Sequence, residues 1–478
     1  MLLCSKSVAL VAAAIMTTCS TLVSAMAYSH SDSVVGSASR LTKRHQLAGR
    51  DASTLMSGGK NNEGEAHGPL KAPKGAQIND LNVGKGRDQI AAYWTDKPKN
   101  SSATQAFVMI HGKLRNGDGY WTIMDDALNK AVKANFKGAD PNSIVIAPQF
   151  FSEKYNSGQY SKNELAWADV NAWQAGEIAT HPAGTMTSAF DVLDAFVKEF
   201  SNTASYPKMR NITLVGHGGG AQLMQRYAVV AKDPPGNVHV RYIFGDPSSC
   251  VYFGPERPQV DPSIANVSSC PTYNTWRYGF TNFTNDVDPT STMGPTDYFA
   301  QYIKRDVITM IGLQDVDASG DEYCMAQLQG GSKRRDRNLA YWKYINTLAK
   351  TNFDMTGFNA TYPTLPDYSN ISHNVINHRL IVIEDADHDP SLVFGSAEGR
   401  AALFQDDSLP TGWRPQGWSA AGNGQKIGAP SSSSGAAGQS TSKSSSASAV
   451  PVASIVSSQA LVATFALATV VVGFGLLA

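Results

Sequence analysis

Ile212-Thr213-Leu214-Val215-Gly216-His217-Gly218-Gly219-Gly220-Ala221-Gln222 is the stretch on which the fold turns. An apolar, β-branched run enters a glycine-rich turn, and a helix-forming segment, Ala221 to Lys232, leaves it. Strand, tight turn and helix in this order form the frame of the Gly-x-Ser-x-Gly nucleophile elbow. Gly216 and Gly220 occupy the motif's two outer glycine positions, where a Cβ would obstruct the strained turn and the close packing of helix on strand. The central position, which in the motif carries an attacking hydroxyl, is Gly218. Glycine has no side chain with which to form an acyl-enzyme.

Outward from this turn, residues 75–418 alternate short apolar strands with amphipathic segments. Strands are expected at Ile90–Trp94, Ala106–Ile110, Ser143–Ala147, Ile212–Val215, Val240–Phe244, Val307–Ile311 and Leu380–Ile383. Helices are expected at Thr122–Ala134, Thr185–Phe200, Ala221–Lys232, Arg335–Lys350 and Ser391–Phe404. Val- and Ile-rich strands alternating with helices imply an α/β fold, a mostly parallel central sheet with helices on both faces. Roughly 340 residues suffice for one large domain with insertions. One insertion, 247–302, breaks the rhythm with Pro, Asn, Thr and aromatic residues. It follows a strand's carboxyl end, where open α/β sheets bind ligands, so it is expected to form either a cap or a self-packed surface loop.

Four elements fall in the chain order of a serine hydrolase on this frame. His111-Gly112 follows a strand at the place of an oxyanion-hole N–H, so Gly112 and Gly219 are the oxyanion-hole candidates. The elbow with its vacated position, Gly218, comes next. Asp315 follows the strand Val307–Ile311 as the candidate acid, with Asp317 as the alternative. His388, within Glu384-Asp385-Ala386-Asp387-His388-Asp389, follows the last strand as the candidate base. Ser248, Ser249 and Cys250 lie beyond the neighbouring strand, and the serines suit a structural turn better than an attacking role. The acidic run around His388 suits a catalytic loop better than a ligand set, so no metal and no cofactor is expected.

These marks resemble the secreted fungal and bacterial α/β-hydrolase-fold proteins whose elbow reads Gly-His-Ser-x-Gly-Gly-Gln or a near variant. The resemblance spans most of residues 75–410. It is carried by Val215-Gly216-His217, Ala221-Gln222, Gln225-Arg226-Tyr227, Asp246-Pro247-Ser248-Ser249, Cys270-Pro271-Thr272-Tyr273-Asn274-Thr275-Trp276-Arg277-Tyr278-Gly279, Gln327-Leu328-Gln329-Gly330 and Asp387-His388. It implies Asp315 as acid and His388 as base, and it departs from the family at Gly218. Neuroligins and other cholinesterase-like adhesion proteins, another branch of the fold, have lost the serine and act as binding partners at cell surfaces. Two functions follow as expectations: a silenced or impaired hydrolase retained for binding an unknown small-molecule or protein ligand, or a hydrolase of ester or amide bonds using His-activated water or another nucleophile.

The ends point to export. Residues 1–27 carry Lys6, an apolar run and Ala25-Met26-Ala27, the pattern of a signal peptide. A polar segment, 28–74, follows, with Lys43-Arg44 as a dibasic processing candidate that would end a propeptide at 44. Residues 419–449 form a spacer rich in Ser, Ala and Gly, and 450–478 an apolar tail, together the signal for a glycosylphosphatidylinositol (GPI) anchor or a hydrophobic membrane anchor. The sequons at Asn100, Asn266, Asn282, Asn359 and Asn370 fit a cell-surface glycoprotein, whereas the one at Asn211 adjoins a core strand. Cys250, Cys270 and Cys324 remain after processing, and Cys270 with Cys324 is the expected disulfide, since both flank loops of one region. Forty basic and forty acidic residues cancel, without a basic block, which argues against nucleic acid as a partner.

Overall fold

The computed structural model describes residues 68–419, apart from 85 and 406–408. The signal, the Lys43-Arg44 pair, the end of the spacer and the apolar tail therefore lie outside the described residues. Eight strands form one sheet: β1 (Ala76–Asn82), β2 (Gln89–Thr95), β3 (Gln105–Ile110), β4 (Ile144–Pro148), β7 (Asn211–His217), β8 (His239–Gly245), β9 (Asp306–Gly312) and β10 (His378–Ile383). The two-residue strands β5 (Phe151–Ser152) and β6 (Ala166–Trp167) pair separately. The order across the main sheet is β1-β2-β4-β3-β7-β8-β9-β10, with β2 antiparallel to both neighbours and every other pair parallel. This is the α/β-hydrolase fold. From β3 the chain turns first to β4 on one side and later to β7 on the other, which opens a crevice at the strands' carboxyl ends.

The strands from β2 to β10 in the main sheet bury both faces, because each packs against helices above and below. Val108 and Ile110 of β3 join one core with helices α2 (Ala189–Phe200) and α3 (Gly219–Val230). Phe107 and Met109 join the other with α1 (Gly117–Lys133) and the C-terminal α6 (Pro390–Gly395) and α7 (Ala397–Phe404). Between these, α4 (Pro295–Tyr302) and α5 (Arg334–Ala349) cover the far half of the first face. Among the described residues no helix is long and apolar enough to cross a membrane.

The seven anticipated strands stand within two residues of their expected limits, while β1 was not anticipated. It is a half-exposed edge strand whose Asn79-Asp80 and Asn82 dilute the apolar signal. Helix limits moved where side chains cap them. The helix expected from Thr185 begins at Ala189, because Ser188 and Asp191 make a reciprocal capping box. The helix expected from Thr122 begins at Gly117, whose N–H donates to Gln149 Oε1 at 3.1 Å. The expected Ser391–Phe404 helix is two helices, since Ser396 is extended and caps the second through Gly399 N–H.

The insertion 247–302 is not a detached lid. Tyr252, Phe253, Trp276, Tyr298 and Phe299 are buried in the first core, and Trp276 Nε1 donates to Ala175 O at 2.8 Å. The segment contributes Ser248, Arg277 and Tyr278 to the wall of the crevice. Cys270 and Cys324 form a disulfide that ties the insertion to the segment after β9, and Cys250 is a buried free thiol. Asn266, Asn282, Asn359 and Asn370 are exposed, Asn100 is half-buried, and Asn211 is half-buried at the start of β7.

Candidate active site

The elbow forms because three backbones meet where a side chain cannot. A Cβ on Gly216 would lie 2.2 Å from Gly220 O, and one on Gly220 would lie 2.5 Å from Ile110 O. Neither position tolerates any other residue without moving the strand–helix junction. Gly218 sits at the crest with φ +55° and ψ −113°, a conformation that L side chains rarely adopt. Its N–H donates to Gly245 O at 3.0 Å. A Cβ added here would stand 3.0 Å from His388 Nε2 and 3.4 Å from Cε1.

His388, on the loop after β10, meets Asp315 through Nδ1···Oδ2 at 3.0 Å. Asp315 is 1% exposed and His388 36%. Arg334, at the start of α5, grips Asp315 from behind: Nη2 donates to Oδ1 at 2.7 Å and Nε to Oδ2 at 2.9 Å. Burial opposes the charge on Asp315, but the bonds from His388 and Arg334 outweigh it, and its carboxyl falls from 3.8 to about 2. The carboxylate therefore stays ionised and fixes which nitrogen of His388 faces the crest. Asp317 is exposed and takes no part in this pairing. Asp387 and Asp389 instead cap their own loop and α6, through Asp389 N and Ser391 N.

Gly112 and Gly219 both line the cavity. A Cβ on Gly219 would lie 3.2 Å from both the Gln174 side chain and Lys113 N, so the turn after β3 and the head of α3 meet closely beside the crest. His111 is consumed by the loop itself: Nδ1 faces Gly112 O at 2.8 Å and Nε2 accepts from Phe150 N–H at 3.0 Å.

The cavity encloses about 450 Å³, and its lining includes Asn171, Gln174, Gln222, Ser319, Asp321 and Tyr323. This wall of amides, hydroxyls and a carboxylate was not legible in the sequence, since its members come from three separate segments, 171–174, helix α3 and the loop 319–323. Ser249 is locked there: Oγ donates to Gln222 Oε1 at 2.7 Å and accepts from Arg226 Nη2 at 3.0 Å. Cys250 is pushed up to about 12 by burial, partly offset by Arg226, so its thiolate is not formed near neutrality. Neither replaces the missing hydroxyl.

Behind the crest, His217 faces Tyr120 Oη through Nδ1 at 3.2 Å and packs against His388, the rings tilted by 38° with centroids 4.5 Å apart. Burial, then the proximity of His388, lowers its pKa, so it is neutral at physiological pH. Its Nε2 lies 3.7 Å from Asp246 Oδ2.

No protein-family profile and no curated protein matches the chain. Solved structures similar to it include LpqC, a poly(3-hydroxybutyrate) depolymerase from Bordetella parapertussis, at 16% identity over 70% of this chain and 92% of that one, with a TM-score of 0.45. Poly(aspartic acid) hydrolase-1 from Sphingomonas sp. KT-1 is 17% identical over 68% and 96%, TM-score 0.43. The siderophore hydrolase EstB from Aspergillus nidulans is 13% identical over 72% and 99%, TM-score 0.35. The fold assignment stands on strand order, the position of the crevice and the elbow at the end of β7.

Proposed function

We propose that this is an α/β-hydrolase-fold protein whose acyl-transfer chemistry has been silenced at Gly218, leaving a preformed cavity that binds a small carbonyl-bearing ligand. One observation carries this reading. A Cβ at Gly218 would stand 3.0 Å from His388 Nε2, so the nucleophile's hydroxymethyl group is what the site lacks. Base, acid and the Arg334 clamp surround it, and Gly112 and Gly219 line the cavity beside it. In a serine-dependent triad, loss of the serine costs on the order of 10⁶ in kcat.

The second reading is favoured by the His388–Asp315 bond. A water in the space left by the side chain can attack a bound carbonyl carbon while passing its proton to His388 Nε2; the tetrahedral intermediate then collapses to the acid as His388 returns that proton to the departing alcohol or amine, with no acyl-enzyme formed. The experiment that separates the two is hydrolysis of p-nitrophenyl acetate by the wild type, Gly218→Ser and His388→Ala. An inert wild type with a gain of at least about a thousandfold in Gly218→Ser supports the silenced enzyme. Turnover by the wild type that His388→Ala abolishes overturns it in favour of the water route.

The same reading sets the domain outside the cell, held by a GPI anchor or hydrophobic tail from 450–478. The Cys270–Cys324 disulfide and four exposed sequons support an oxidising, glycosylating route.

A further inference from the structure

We propose that the crest of the elbow is a binding site for a divalent transition-metal ion of the zinc class, ligated by His217, Asp246 and His388. The proposal shares His388 Nε2 with the silenced-enzyme reading, but its other two ligand atoms, on His217 and Asp246, play no part in that reading. His217 Nε2 and Asp246 Oδ2 are 3.7 Å apart on side chains only 1% and 0% exposed, and neither atom has a hydrogen-bond partner. Two buried, unsatisfied polar atoms facing each other are costly. Their separation is too long for the hydrogen bond they would otherwise make. It suits two ligands of one ion, which at about 2.1 Å from a tetrahedral metal stand about 3.4 Å apart.

The third ligand comes from the loop after β10. One ligand atom from each of His217, Asp246 and His388 lies within 4.8 Å of the others, and the half-exposed His388, on its loop, has to move in by up to about 1.4 Å to reach the spacing of a tetrahedral site. Its Nδ1 is engaged by Asp315, which leaves Nε2 to bind. Each ligand is also held from behind, as metal ligands usually are: His388 Nδ1 by Asp315 Oδ2 at 3.0 Å, His217 Nδ1 by Tyr120 Oη at 3.2 Å, and Asp246 Oδ1 by Gly312 N–H at 2.9 Å. Two imidazoles and one carboxylate favour zinc, cobalt or nickel over the oxygen-seeking calcium and magnesium. His217, Gly218 and His388 all line the cavity, so a fourth coordination position opens onto it. The sequence concealed this set because His217, Asp246 and His388 follow three different strands and none of the acidic residues flanking His388 belongs to it.

The test is titration of Co²⁺ into the full chain, purified without a histidine tag and stripped with a chelator, followed by visible absorption and calorimetry. The expected result is one equivalent per chain with the spectrum of a four-coordinate ion, weakened at least about a hundredfold in Asp246→Asn and in His388→Gln. The latter changes a half-exposed side chain, and its melting temperature reports whether the fold is intact. No saturable binding by the wild type, or undiminished binding by a folded His388→Gln, overturns the proposal and leaves His217 and Asp246 as a buried pair only. Activity gained by Gly218→Ser, together with no Co²⁺ uptake by the wild type, sinks this proposal while sparing the silenced-enzyme reading.

Discussion

At Gly218 a missing side chain and an unusual backbone coincide. With φ at +55°, a serine here carries strain of about 1–3 kcal/mol, and its Cβ presses His388 by a few tenths of an ångström. Gly218→Ser should therefore melt below the wild type even as it gains esterase activity, the trade expected of a strained nucleophile. Arg334 is the other residue on which the site depends. Its guanidinium holds the buried Asp315 on both oxygens, and removing one partner of a buried pair strands the other. Arg334→Ala should lower the unfolding free energy by about 3–5 kcal/mol, read from the denaturant midpoint. A change within 0.5 kcal/mol would mean that solvent reaches Asp315. Asp315 itself was visible in the sequence, because an acid just past a strand in triad order stands out. Arg334 was not, since a basic residue at the head of a helix carries no mark of its partner 19 positions earlier.

The β7–α3 elbow shows how much a single element's glycine spacing can disclose. Gly216 and Gly220 are spaced for contacts that the structure contains, 2.2 Å and 2.5 Å for the virtual Cβ atoms. Gly216→Ala should consequently fail to fold or lose several kcal/mol, measured by thermal melting, whereas an exposed glycine such as Gly236, with open space around it, should accept alanine almost without loss. Other elements were partly hidden. The edge strand β1 has too little apolar alternation to announce itself, and helix starts moved wherever Gln149, Ser188 or Ser396 supplied a cap. Ser188 and Ser396 cap from the adjoining position, whereas Gln149 reaches Gly117 from 32 residues away, a contact that no local window of sequence contains.

Over the whole molecule, buried carboxylates set the acid limit of stability. The carboxyl of Asp315 is depressed to about 2. Asp306 is held below its usual range despite burial, by His239, Arg241 and Arg379. Groups with depressed pKa values in the fold contribute stability that is complete above their unfolded values and lost as pH falls through the folded ones. Stability should therefore hold down to about pH 4 and drop between pH 4 and 2, with Asp315 alone contributing about 2 kcal/mol. A melting temperature unchanged from pH 5 to pH 2.5 would refute the assignment. The disulfide works at the same scale: it joins positions 54 residues apart, so it restricts the unfolded chain from the middle of the insertion through β9 to Cys324.

The order of strands and helices, the elbow and the chain positions of Asp315 and His388 followed from the sequence alone, because periodicity, glycine spacing and strand-end residues are local properties. The aromatic insertion, open between cap and core, became core only through its contacts with the sheet. Lys113 opposite Gly219, Arg334 behind Asp315, the polar wall of the cavity and the facing atoms of His217 and Asp246 were decided by tertiary structure. Those groups are separated along the chain and meet only where the strands' carboxyl ends converge, and no local pattern encodes a meeting of that kind.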